Sequence, residues 1–188
     1  MGFGICFGGN PFFLHYNSWY DLSWIDRKMT DSLCLDRIKM YGDSLIKKRN
    51  VKLKAFLFDD GWDDNASLWK VSKFFPHGFT NMKNLAESYG SSLGLWLSPW
   101  GGYDSAKEER LKYGRLQTPP FETNENGFSL SGPVYFKRFE KVTTDFILKD
   151  RVSIFKFDGV GTGNGAGGAG LKYQKDIEAL LLLTQKLR

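Results

Sequence analysis

Short apolar segments alternate with segments of helical periodicity along the chain, and this alternation restricts the fold more than any other feature. The apolar segments, predicted as strands, are residues 12–19, 51–58, Ser92–Leu97 and Val152–Phe157. The predicted helices are residues 30–48, 80–89, 133–149 and 173–186, with a shorter one near 107–113. Strands that alternate with helices form parallel sheets with right-handed crossovers. The sequence therefore predicts an α/β protein with a parallel sheet.

The ends of the predicted strands carry polar and aromatic side chains that are suited to binding or reaction. These residues are Asn17 and Trp19, Asp59 and Asp60, Ser98 and Trp100, and Lys156 and Asp158. In a parallel barrel the functional site is assembled at the carboxyl ends of several strands. We therefore predict a partial (β/α)8 TIM barrel of about four βα units. A length of 188 residues suits a single domain over 1–188.

Charge and composition argue against several classes of function. The net charge of +5 comes from Lys and Arg residues that are scattered among acids. The densest basic run, residues 47–49, falls at a predicted helix end, so no nucleic-acid partner is expected. With two Cys and two His, the chain is poorly supplied for a zinc site or a serine triad.

The sequence gives little information about the compartment of the protein. No apolar run is long enough to cross a bilayer, so no membrane partner is expected. Residues 1–11 lack the basic leader and the cleavage site of a signal peptide. The localisation is therefore unknown, and a secreted or periplasmic location would fit a chain from which a leader has been removed.

A lysine and an aspartate share one side of the fourth predicted strand. Alternation along Val152–Phe157 directs Lys156 and Asp158, two residues apart, to the same face. A nearby lysine keeps a carboxylate ionised, as a catalytic nucleophile requires. A second interpretation stays open, in which the two residues form a strand-end salt bridge and Asp158 caps the following loop.

A cluster of aspartates follows the second predicted strand around Gly61. Its members are Asp59, Asp60, Asp63 and Asp64. Carboxylates at a strand end accept hydrogen bonds from sugar hydroxyls or hold Mg²⁺ or Ca²⁺, whereas aspartates are also common in solvated turns. Strand alternation lets only one of the first two aspartates face inward, and a bend at Gly61 would bring both toward a ligand.

Four short motifs occur in chain order at the predicted strands. They are Asn17-Ser18-Trp19, Asp59-Asp60-Gly61-Trp62, Gly94-Leu95-Trp96 and Lys156-Phe157-Asp158. Together they resemble the melibiase clan of glycoside hydrolases, of the α-galactosidase and α-N-acetylgalactosaminidase type in families 36 and 27. The resemblance covers nearly the whole chain and implies the N-terminal half of a catalytic barrel. It implies a retaining α-glycosidase that hydrolyses terminal α-linked galactosyl or related sugars, without a metal or an organic cofactor.

The resemblance also implies roles for individual residues. Asp158 would be the nucleophile that attacks the anomeric carbon, and Lys156 would bind a sugar hydroxyl. The other predicted site residues would bind the carbohydrate substrate, the carboxylates through its hydroxyls and Trp19 or Trp62 by stacking on the ring. They are Asn17, Trp19, Asp59, Asp60, Trp62 and Trp96.

Other functions stay open. The resemblance assigns the acid/base carboxylate to a sixth strand, and no residue of this chain matches it, so a non-catalytic carbohydrate-binding half-barrel is an alternative. Half a barrel has unpaired strand edges, which predicts a second copy or the missing half of the barrel as a partner. Residues 163–168 match the G-x-G-x-x-G pattern of dinucleotide-binding loops, so a nucleotide binder is a lesser alternative.

Overall fold

A computed structural model describes residues 13–24, 27–159 and 171–188 of the chain. The strands are β1 (His15–Asn17), β2 (Ala55–Phe58), β3 (Ser92–Leu97), β4 (Thr123–Asn124), β5 (Gly127–Phe128) and β6 (Val152–Phe157). The helices are α1 (Asp31–Tyr41), α2 (Thr80–Ser88), α3 (Asp104–Arg115), α4 (Pro133–Asp150) and α5 (Gln174–Lys186). π-Helical turns occupy Trp19–Ser23 and Gly42–Lys47, and a 3-10 turn, Leu171–Tyr173, precedes α5. The glycine pattern at 163–168 lies outside the described residues.

The main sheet has four parallel strands in the order β1-β2-β3-β6, which confirms the predicted α/β class. The predicted strands correspond to β1, β2, β3 and β6, although β1 and β2 are shorter than the apolar segments suggested. The small antiparallel hairpin of β4 and β5 was not predicted, since each of its strands has only two residues. α2 begins at Thr80, where the predicted helix also begins.

The centre of the sheet is buried on both faces, as in other parallel sheets that are covered by helices. Every residue of β2 is buried, and β3 is buried from Leu93 to Leu97. Gly94 lets the two strands approach closely, because a Cβ at this position would lie 3.2 Å from the Cα of Leu57. Apolar burial of this extent supplies most of the favourable free energy of folding.

Side chains cap the first turns of α1 and α4. The Thr30 side chain accepts a hydrogen bond from the Leu33 amide at the start of α1. At the start of α4, the Glu122 carboxylate accepts from the amides of Val134 and Tyr135 at 3.2 and 2.9 Å. A negative charge at this position also complements the helix dipole. Both helices are thus held at their beginnings.

The outer strands of the sheet each have one neighbour among the described residues. β1 pairs only with β2, and β6 pairs only with β3 in this part of the chain. β6 is partly exposed from Ile154 to Phe157. None of the described helices is both long and apolar enough to cross a membrane.

Candidate active site

A cavity of about 310 Å³ opens beside the carboxyl ends of the parallel strands. Its lining residues are Trp19, Arg27, Asp60, Trp96, Tyr103, Lys156 and Asp158. Except for Arg27 and Tyr103, all of them were predicted as site residues from the sequence. Strand ends that are distant in sequence therefore converge here, as the parallel topology requires.

Three donors hold Asp158 at the end of β6. Its Oδ2 accepts from the Trp96 indole Nε1 at 3.1 Å, and its Oδ1 accepts from the Tyr103 hydroxyl at 3.2 Å and the Gly159 amide at 2.8 Å. Burial, followed by the adjacent charge of Asp158, raises the pKa of Tyr103 to about 12, so this hydroxyl stays protonated and able to donate. Together these three hydrogen bonds fix the direction in which the carboxylate points.

Lys156 pairs with Asp59, which corrects the prediction that it would sit beside Asp158 as its charge partner. The Lys156 Nζ lies 2.7 Å from Asp59 Oδ2, across the intervening strand β3. Asp59 is fully buried, and its Oδ1 accepts from the Asp60 amide at 3.0 Å. Lys156 still lines the cavity, with its Nζ 5.6 Å from the ring centroid of Trp19.

Asp60 presents a buried carboxylate oxygen that has no hydrogen-bond partner. Its Oδ2 lies 3.6 Å from Arg27 Nε, beyond hydrogen-bond distance, and its Oδ1 lies 3.6 Å from Arg110 Nη2. Burial raises the pKa of Asp60 to about 6, against the opposing charge of Arg110. An unpaired buried acceptor is costly, and a ligand hydroxyl that donates to it would remove this cost.

Arg110 lies close to Asp60 and Trp96, two of the residues that line the cavity. It was not among the site residues predicted from the sequence. This fully buried guanidinium makes two hydrogen bonds to Asp63, at 3.0 and 2.7 Å, and a third to the Gly101 carbonyl at 2.9 Å. Its central carbon also lies 4.5 Å from the ring centroid of Trp69 and 5.9 Å from that of Trp96. Charged residues fill most of α3, so no pattern in the sequence indicates that this one is buried.

Trp62 is a core residue, which corrects the prediction that it could stack on a sugar. Its ring has no exposed surface and packs against Trp69, Phe79 and Phe146. Its Nε1 donates to the Trp96 carbonyl at 3.1 Å. Trp62 therefore supports the strand that carries Trp96 and is not available to a ligand.

Asn17 and the end of the acidic cluster have local structural contacts. Asn17 is exposed outside the cavity lining, and its Oδ1 accepts from the Trp19 amide at 2.9 Å, which orients the tryptophan that does line it. Asp64 accepts from the Ala66 amide at 3.1 Å, as an aspartate in a turn does.

In the described ranges, no group of three or more His, Cys, Asp or Glu side chains is arranged to hold a metal ion.

Comparison with solved structures finds α-galactosidases. The enzyme of Thermus thermophilus, solved with p-nitrophenyl α-D-galactopyranoside, matches 96% of this chain with a TM-score of 0.65 and 16% identity. A variant of the family 36 α-galactosidase of Geobacillus stearothermophilus, solved with raffinose, matches 93% with a TM-score of 0.59 and 13% identity. α-Galactosidase I of Mortierella vinacea matches 93% with a TM-score of 0.54 and 17% identity. At the level of the fold, these matches confirm the resemblance that the motifs indicated.

The chain is much shorter than these enzymes. It spans 37% of the Thermus and Mortierella chains and 26% of the Geobacillus chain. No protein-family model matches the sequence, and no curated protein matches it. The similarity therefore concerns a fragment of a barrel enzyme and is structural.

Proposed function

We propose that the chain forms part of a (β/α)8 barrel and carries the galactoside-binding portion of a retaining α-galactosidase-type site, with Asp158 as nucleophile. One observation carries this proposal: Asp158, held by Trp96 and Tyr103, lines the same strand-end cavity as Asp60, whose Oδ2 has no hydrogen-bond partner. A fixed nucleophile and a free acceptor for hydroxyls are what a glycosidase needs in its sugar subsite.

In the proposed reaction, an Asp158 oxygen attacks the anomeric carbon of a terminal α-linked galactosyl residue. An ester bond forms between them, and the glycosidic bond breaks with its electron pair going to the leaving oxygen. Retaining enzymes place a second carboxyl roughly 5–5.5 Å away to protonate that oxygen. We assign no residue of this chain to that role. A substrate with an activated leaving group does not need it, because such a group departs without being protonated. The scheme uses no metal and no organic cofactor.

The sugar is held by groups that the chain provides around the cavity. Asp60 Oδ2 would accept from one hydroxyl, and the Lys156 ammonium, already paired with Asp59, would donate to a second. Trp19 would offer its ring to the apolar face of the pyranose. A cavity of about 310 Å³ is at the small end of ligand sites, as a single sugar ring requires.

A titration with methyl α-galactoside tests the binding half of the proposal, and its pH dependence tests Asp60. Because the pKa of Asp60 is raised to about 6, its carboxylate is ionised at pH 7 and largely protonated at pH 5. A protonated oxygen is a weaker acceptor, so the affinity should fall as the pH falls, by up to about tenfold over this interval. Isothermal titration calorimetry at both pH values measures the change.

The variant Asp60→Asn is the control for other titrating groups. It should bind more weakly than the wild type at pH 7 and show little change between pH 5 and 7. The charged groups around position 60, namely Arg27, Arg110, Asp59 and Asp63, are retained in it. An unchanged pH dependence in this variant would remove Asp60 from the sugar site, and a wild type that binds no α-galactoside would contradict the proposal.

A non-catalytic carbohydrate-binding domain is the second candidate. It requires only the cavity groups that would hold a sugar, Asp60, Lys156 and Trp19, and no reaction at Asp158. Under this candidate, methyl α-galactoside and raffinose bind, but no covalent intermediate forms with an activated substrate. The two candidates therefore agree on the sugar and differ on the role of Asp158.

The partner of this domain is proposed from its outer strands. The edges of β1 and β6 that have no neighbour in the described part of the chain would pair with a second copy of the chain or with further βα units of a barrel. We expect the isolated chain to self-associate, because β6 exposes Phe155 and Phe157 in part. Light scattering that shows a folded monomer at high concentration would contradict this expectation.

A further inference from the structure

An ion pair beside the cavity joins two residues that both have a left-handed backbone. Arg27, which lines the cavity, has a φ of 49°, and Asp104, the first residue of α3, has a φ of 51°. Arg27 Nη2 lies 3.1 Å from Asp104 Oδ2. Aspartate tolerates this backbone conformation better than most residues, whereas for arginine it is unfavourable. Backbone strain of this kind persists only where surrounding contacts hold it, and it is concentrated at functional sites.

Arg27 is held at the cavity by several contacts of its own. Its Cζ lies 5.9 Å from the ring centroid of Trp19, and its Nε lies 3.6 Å from Asp60 Oδ2. Its backbone carbonyl packs so closely on Gly61 that a Cβ at that position would overlap it. Two residues further on, the Met29 amide donates to the Gly61 carbonyl at 3.2 Å. Arg27 is therefore fixed to the turn that follows β2.

The other end of the ion pair adjoins Tyr103, whose hydroxyl donates to Asp158 Oδ1. Since 40% of Tyr103 is exposed, its neighbours restrict the direction of its ring only in part. The two glycines that precede it have φ angles of 98° and 91°, and glycine imposes little conformational preference on a chain. The ion pair of Asp104, the next residue, is then a contact that ties the start of α3 to the cavity.

We propose that Asp104 is a positioning residue that holds the Tyr103 hydroxyl on Asp158 through its ion pair with Arg27. The pair fixes the backbone at the start of α3, and the direction of the adjacent tyrosine follows from it. The position of Tyr103 does not depend on the proposed function, whereas the consequence for the reaction of Asp158 rests on it. Because Asp104 is 76% exposed, its ion pair contributes little to overall stability, and we expect an unchanged urea midpoint in its variants.

The pKa of Tyr103 tests this inference, because in Arg27→Gln a change of position and a change of charge act on it in opposite directions. Burial and the charge of Asp158 raise this pKa to about 12, with a further contribution from Asp60, and the charge of Arg27 lowers it. Loss of the arginine charge alone would therefore raise the pKa. If Arg27→Gln instead releases the hydroxyl from Asp158, the pKa should fall toward the ordinary tyrosine value of about 10.

Nuclear magnetic resonance of the full chain with isotope-labelled tyrosine rings measures this pKa, and the Tyr103 resonance is assigned by its loss in Tyr103→Phe. Asp104→Asn should lower the pKa as Arg27→Gln does, and Asp104→Glu, which keeps the charge, should retain most of the wild-type value. Arg151→Gln is the matched control, because Arg151 is an exposed arginine, paired with Glu87, outside the cavity lining. It should leave the pKa unchanged.

An unchanged or higher pKa of Tyr103 in Arg27→Gln would overturn the inference and leave the proposed function standing. Circular dichroism establishes that each variant is folded over the titration. A variant that unfolds in alkali is compared with the wild type at pH 7, where the same resonance depends on the hydrogen bond of the hydroxyl. A wild-type resonance position in both Arg27→Gln and Asp104→Asn at this pH would also overturn the inference.

The rate at which an activated fluorinated α-galactoside labels Asp158 tests the consequence for the reaction. Asp104→Asn and Tyr103→Phe should each slow labelling on the order of fivefold, a factor typical of one lost hydrogen bond. The double variant should be no slower than Tyr103→Phe, because Asp104 acts only through that hydroxyl. Losses that multiply in the double variant would overturn the inference. A wild type that is not labelled would contradict the proposed function, and the pKa of Tyr103 then decides the inference alone.

Discussion

Replacing Asp158 by Asn should abolish covalent labelling of the protein by a fluorinated α-galactoside with an activated leaving group. The amide has nearly the shape of the carboxylate but is not a nucleophile, so no ester can form at the anomeric carbon. Because the leaving group is activated, this step does not require an acid/base residue. Mass spectrometry of the intact protein measures labelling as the mass of one added glycosyl group. We expect full labelling of the wild type and none of Asp158→Asn.

Asp36→Asn is the matched control, because Asp36 is a surface carboxylate whose partner is the neighbouring Arg37. Labelling of this variant should equal that of the wild type. A label that survives in Asp158→Asn would exclude Asp158 as the nucleophile, and its location in the peptide map would identify the group that reacts. A wild type that binds galactosides without labelling would favour the non-catalytic candidate.

Replacing Arg110 by Met should lower the free energy of unfolding by about 3–5 kcal/mol, the range for breaking a buried ion pair by removing one partner. Arg110 and Asp63 are both fully buried at their side chains, so the variant leaves a buried carboxylate without its cation. It also removes the donor to the Gly101 carbonyl and the contact with Trp69. Urea denaturation followed by circular dichroism measures the change.

Two further variants separate the buried charge from other causes. Arg151→Ala, which removes an exposed cation paired with Glu87, should change the stability by less than about 0.5 kcal/mol. The double variant Arg110→Met with Asp63→Leu should recover part of the loss, because no unpaired charge remains. A loss below about 1 kcal/mol for Arg110→Met would mean that the Arg110–Asp63 pair does not stabilise the fold.

The sequence predicted the strands and the edge of the sheet at which the candidate site lies, because both depend on local patterns. Apolar runs such as Ser92–Leu97 predict buried strands, and the polar residues at their ends predict the functional edge. Asp158 and Trp19 were found in this way, and both line the cavity.

The pairing of Lys156 could not be predicted from the same patterns. Residues two apart on a strand share a face, but their backbones are about 7 Å apart, which does not decide where a long side chain extends. Lys156 extends across β3 to Asp59. Which carboxylate the Lys156 side chain reaches depends on the order of the strands in the sheet. The alternation of residues along one strand carries no information about that order.

Residues brought in by loops and helices were missed for a related reason. Tyr103 and Arg110 lie at the start of α3 and within it, in a polar stretch that is typical of an exposed helix. Trp62, next to the aspartates in the sequence, was assigned to the site through the family resemblance. Its burial depends on packing with Phe79 and Phe146, which the sequence does not reveal. These contacts join distant parts of the chain and have no local signal.

The hydrogen bonds at Asp158 make three sequence positions interdependent during evolution. Trp96 and Tyr103 both donate to one carboxylate, so a change at position 158 to a residue that accepts no hydrogen bond strands two partly buried donors. A descendant in which Asp158 was replaced in this way would therefore need compensating changes at 96 and 103. Whether a substitution at one of these three positions is tolerated then depends on which residues already occupy the other two.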